Sequence, residues 1–192
     1  MRHRRWTLGQ ATLIAVGALV LVAEPWRASS ATAQGPGPAA AKVSTVPVMT
    51  DQQVKSLASL AVNVAAQRKN RENLVRDWNS WVSAQTKAAG IGSVDVGRYH
   101  QNAASAAALA DFVYQLGRPT MARAAHDTLS EGYFKLAQGL DRLAVYAETG
   151  DHKERLEGNR LLAESAILIP RGEEALQEIL GNAGVSATDV GF

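Results

Sequence analysis

The chain has 192 residues, 46% of them hydrophobic, no cysteine and a formal net charge of +2. That hydrophobic share excludes a wholly disordered chain, and the absence of thiols excludes disulfides, thiolate metal sites, a thiol nucleophile, covalently attached c-type haem and a lipoprotein lipid site. The charge is unevenly placed: residues 1–27 hold Arg2, Arg4, Arg5 and Arg27 against Glu24 alone, so they carry +3 and the remainder carries −1. A basic face of the kind that binds nucleic acid is therefore not expected.

Residues 1–27 read as a signal sequence or transmembrane anchor. Arg4 and Arg5 lie in a positive leading stretch, and Ala11 to Ala23 follows without a charge, with Leu13, Ile14, Val16, Leu19 and Leu21 as its apolar body. Trp6 and Trp26 bracket the segment, and the helical rise between them is about 30 Å, the thickness of a hydrocarbon core. Tryptophans at both interfaces form the belt of a spanning helix. Ala31-Thr32-Ala33 before Gln34 also fits a signal peptidase, so the segment is either kept as an anchor or removed after Ala33. Both outcomes place the following domain in the periplasm, tethered to a bacterial inner membrane or free of it. Residues 28–50 are rich in Ala, Gly, Pro and Ser; Gly35-Pro36-Gly37-Pro38 suits neither helix nor sheet and reads as a flexible tether.

Residues 51–181 carry helical periodicity and no convincing alternating run, so the expected fold is all-α: an antiparallel bundle of about four main helices plus a short C-terminal one. The first helix starts near Asp51 as N-cap, with Val54, Leu57, Ala61 and Val64 on one face and Val75, Trp78 and Val82 resuming it. Between these runs, residues 67–73 are wholly polar, and the helix there either projects past its partners or breaks. Gly90-Ile91-Gly92 ends it. The second helix, from about Ser93–Val96 to Leu116, is narrow with alanine, so a partner can approach its backbone. Gly117-Arg118-Pro119 leads into the third.

That third helix has the clearest pattern. Ala122, His126, Leu129, Tyr133, Leu136, Leu140, Leu143 and Ala147 alternate at four and three residues, the seam of a bundle. Gly150 stops it, and Asp151 with Glu154 forms an expected capping box for the fourth helix. Pro170 should break or kink that helix, leaving a short fifth from Glu173 to Leu180, stopped by Gly181. Residues 182–192 read as a frayed tail.

The chemistry-bearing residues do not assemble into a motif. With the hairpin turning near Arg118, His126 falls opposite residue 110, with Asp111 as a hydrogen-bond partner, and His100 falls opposite residue 136; a two-histidine metal site is not expected. No Glu-x-x-His pair of the di-iron bundles occurs, and no nucleophile elbow or phosphate loop. Glu173 and Glu174 suit the opening turn of a helix, and Glu178 suits solvent. Catalytic, cofactor and metal residues are therefore expected to be none. Trp78 and Trp81, three apart and on one face with Leu74, serve either as core or as an aromatic contact for a partner protein. The functional expectation is a non-enzymatic accessory subunit, exported and membrane-tethered, whose partners are the membrane and other protein subunits of a membrane complex. The alternative is a soluble periplasmic bundle that binds a small ligand or an unfolded client, with an enclosed apolar cavity near Tyr133 and Phe134.

Overall fold

A computed structural model describes residues 49–87 and 95–192. The expected anchor residues Arg4, Arg5, Trp6, Leu13, Ile14, Val16, Leu19, Leu21 and Trp26, most of the tether and the turn at Gly90–Gly92 lie outside the described residues. Within them the chain is all-helical: α1 (Asp51–Lys87), α2 (Val96–Gln115), α3 (Arg123–Thr149) and α4 (His152–Asn182), with short 3-10 turns at Thr120–Ala122 and Thr188–Val190.

The helix ends follow from local hydrogen bonding. At the start of α1 the cap is Thr50 rather than Asp51. The Gln53 backbone N–H donates to Thr50 Oγ1 at 3.3 Å while the Thr50 N–H donates to Gln53 Oε1 at 2.8 Å, a reciprocal capping box. Asp95 caps α2 by accepting from the Arg98 N–H at 3.1 Å, and Asp151 caps α4 by accepting from Lys153 at 2.9 Å. Gly150 ends α3 in the left-handed conformation at φ 75°. Glu154 does not complete the expected capping box: its carboxylate turns to Arg142 of α3 at 3.0 Å.

Among the described residues, the pairing of α3 with α4 is the most extensive between any two helices. Every residue of the α3 seam named above is buried. On α4, Gly158, Leu162, Ile169 and Gly172 face it. The two helices run antiparallel with their backbones in contact. A Cβ placed on Gly158 would lie 2.9 Å from the Gly139 carbonyl oxygen, and one on Gly139 would lie 3.0 Å from that of Gly158. Gly132 receives Ile169 and Gly172 receives Leu129 in the same way. Four glycines thus remove the side chains that would hold the axes apart, and the neighbouring leucines and isoleucine fill the space.

The expected break at Pro170 is absent, and α4 continues through it to Asn182. Proline deletes the bond to the carbonyl four residues back, which belongs to Ala166. Both Pro170 and Ala166 are exposed, so the freed carbonyl belongs to the solvent side of the helix. On the other face Ile169 and Gly172 are locked against α3. Packing on both sides of the proline outweighs the local penalty, and there is no separate fifth helix. The tail is likewise ordered. Val185 N–H returns to the Leu180 carbonyl at 2.9 Å, Gly184 takes φ 72°, Val190 is buried, and Gly191 approaches Ala65 of α1.

Helix α1 extends about 55 Å at 1.5 Å per residue and does not break at its polar stretch. It buries Leu57, Leu60, Ala61 and Val64 near one end and Trp78 and Val82 near the other. Between them, Arg68 and Arg71 turn to Glu173 of the bundle, while Lys69, Asn70 and Glu72 face solvent. Arg71 Nη1 lies 3.2 Å from Glu173 Oε1 of α4, and Arg68 Nε lies 3.9 Å from Oε2.

Candidate functional site

The expected aromatic contact divides into core and rim. Trp78 is 1% exposed, with its ring edge-on to Tyr99 of α2 at 5.0 Å and 83°. Trp81 meets the same tyrosine at 5.1 Å, and Trp81 and Leu74 are partly buried against the core. Trp78 is therefore interior, holding the end of α1 to the start of α2, and only the outer edges of Leu74 and Trp81 are left for another molecule. Burial raises the Tyr99 hydroxyl pKa well above its ordinary range.

His126 is in the core, as its seam position implies, but both histidines have partners other than those expected. His126 is fully buried, and its Nε2 donates to the Val113 carbonyl at 3.0 Å rather than meeting Asp111, which is exposed. Its Nδ1 lies 3.5 Å from Ser130 Oγ and 3.7 Å from Asp127 Oδ1. Donation from Nε2 is open to both the neutral and the charged ring, and Nδ1 accepts only in the neutral one. Burial lowers its pKa from 6.5, against the raising effect of the Val113 hydrogen bond. His100 pairs with Glu148 of α3 at 2.8 Å on the surface, far from residue 136. The hairpin geometry is staggered because α2 and α3 do not lie in simple mirror register about Arg118. Among the described residues, no three His, Cys, Asp or Glu side chains are grouped to hold a metal ion.

Glu173 was expected at a solvated helix start. Because α4 is continuous it sits mid-helix and is 7% exposed, while Glu174 and Glu178 are exposed. Burial raises its pKa, opposed by Arg71 and then Arg68. The Tyr133 hydroxyl is also buried in this region without a hydrogen-bond partner, and burial raises its pKa. The cluster joins α1 to α4 beneath the surface.

An open groove of about 480 Å³ lies between the end of α2 and one face of α3. Tyr114 projects from α2, and Asp127, Glu131, Phe134 and Lys135 follow one another on α3 at helical spacing; Arg118 closes one end. Tyr114 is 54% exposed and rests on Phe134 at 5.7 Å and 63°. Arg118 is ion-paired with Asp127, and Lys135 with Glu164 of α4 at 2.9 Å. This is an aromatic floor with a charged rim, open to solvent. It differs from the enclosed apolar cavity expected near Tyr133 and Phe134: Tyr133 is sealed in the core and Phe134 faces the groove. One signal for it lies in the sequence, an aromatic residue directly after each of the buried Val113 and Tyr133; Phe134 was expected beside an enclosed cavity, and Tyr114 was not singled out.

No family model, curated protein or solved structure matches the chain.

Proposed function

We propose that this chain is a non-enzymatic accessory subunit. It is exported by its N-terminal segment, tethered at the membrane, and docks through the Tyr114–Phe134 groove on a larger membrane protein assembly. The observation that carries the reading is the exposed ring of Tyr114 set edge-on against Phe134 inside a rim of charge. Large, rigid aromatic side chains in a partly recessed site surrounded by polar groups are what protein interfaces use as anchors. The N-terminal arginines, the uncharged run and the Gly-Pro tether support the membrane-proximal placement.

The reading is tested by placing a photoreactive amino acid at position 114 of the full chain in its native membranes, with a second variant at position 105. Ser105 is exposed on the opposite flank of the stripe of α2 that contains Val113. Docking through the groove gives a discrete protein adduct from 114 and none from 105. Equal adducts from both, or none from 114, would sink the reading.

A further inference from the structure

The charges lining the groove indicate what it takes. Arg118 is engaged by Asp127. Lys135 leans away from α3 toward Glu164, and that contact holds the Glu164 carboxyl below its usual range. Both cations of the rim are thus offset within the fold. Glu131 lies on the same α3 face, one turn before Phe134 and Lys135, and is exposed. It has no ion-pair or hydrogen-bond partner among the described residues. One uncompensated carboxylate therefore stands beside the exposed ring of Tyr114 and the half-buried ring of Phe134.

That combination matches a guanidinium group. A planar cation stacks on an aromatic face and places two parallel N–H donors on a carboxylate. A lysine would use only a point charge there, and an acidic or purely apolar segment would leave Glu131 unpaired. We propose that the groove docks an arginine-bearing segment of a partner protein, its guanidinium resting on Tyr114 and Phe134 and paired with Glu131. The proposal rests on the groove being the docking face and adds the chemistry of what enters it.

The test titrates the full chain in detergent micelles with the peptide acetyl-Ala-Leu-Arg-Ala-Leu-amide and with the same peptide carrying citrulline for arginine. Citrulline keeps the shape and removes the charge. Binding is read from the ring chemical shifts of Tyr114 and Phe134. The arginine peptide is expected to saturate at least tenfold below the citrulline peptide, and Glu131→Gln to abolish that difference. Tyr114→Ala should weaken both peptides. Equal affinity for the two peptides, a preference that survives Glu131→Gln, or no shift with either peptide would overturn the proposal. Photocrosslinking from position 114 separates the two levels. A specific adduct that persists while the peptides fail to discriminate leaves the docking face standing and removes the arginine chemistry; loss of the adduct removes both.

Discussion

His126 is the polar side chain that the fold encloses most completely among the described residues, and its surroundings favour the uncharged ring. Val113 offers a carbonyl to Nε2, Ser130 sits at Nδ1, and the nearby Asp127 carboxylate is already engaged by Arg118. Because burial lowers the folded pKa below 6.5, the unfolded chain binds more protons as pH falls through that value. This part of the stability is complete above pH 6.5 and is lost on acidification, with a limiting slope of about 1.4 kcal/mol per pH unit. Urea melts at pH 7.5 and pH 5.5 should show a larger loss for the wild type than for His126→Gln. The comparison between the two proteins cancels the carboxylates, including Glu173, whose raised pKa acts with the opposite sign. Parallel pH profiles would mean that His126 protonates freely. The burial of this histidine was legible from its place on the α3 seam. Its partner was not, because a main-chain carbonyl leaves no trace in the sequence and the stagger of α2 on α3 is set by packing.

The α3–α4 pair shows how helical elements can be read correctly in type and wrongly in extent. The seam of α3 was visible as spaced apolar residues, whereas Gly132, Gly139, Gly158 and Gly172 carry no apolar side chain and so add nothing to such a pattern. They nonetheless set the distance between the axes. Gly158→Ala would drive a methyl group to 2.9 Å from a backbone oxygen, which the side chains around it cannot relieve. It should cost about 1–3 kcal/mol in equilibrium unfolding, as overpacking does; a neutral result would show that the helices can separate without loss. Pro170 presents the reverse case, a residue that argues against the helix it occupies. Its exposed position means that Pro170→Ala restores a backbone hydrogen bond and changes no core contact. A gain of about 1–3 kcal/mol is expected, with a higher Tm in a thermal melt. An unchanged or lower Tm would indicate that the backbone geometry at the proline is needed to seat Gly172 and Glu173 on their partners.

Across the whole molecule, α1 is joined to the rest by two apolar ends and a polar middle. That middle could be seen in the sequence as a defect of the pattern, and only the continuous α4, carrying Glu173 inward, turns it into a contact. The pair is asymmetric: Glu173 is nearly sealed, while the Arg71 side chain retains 17% of its exposure. Removing each partner should therefore have different consequences. Arg71→Ala strands a buried carboxylate and should cost about 2–3 kcal/mol, toward the low side for breaking a buried pair because Arg68 is still near. Glu173→Gln removes the charge that burial opposes and leaves Arg71 able to turn to water, so its cost should be well below that of Arg71→Ala. Combining the two should recover much of the Arg71→Ala loss, since no carboxylate is then left unpaired. Lowering the pH should shrink the Arg71→Ala penalty as well, because a group with a raised folded pKa gains relative stability once it is protonated. Denaturant titrations of the four proteins at pH 7 and pH 4.5 would measure all of these terms. Additive losses with no recovery in the double variant would mean that the apolar ends alone hold α1 in place, and that the charges between them are bystanders.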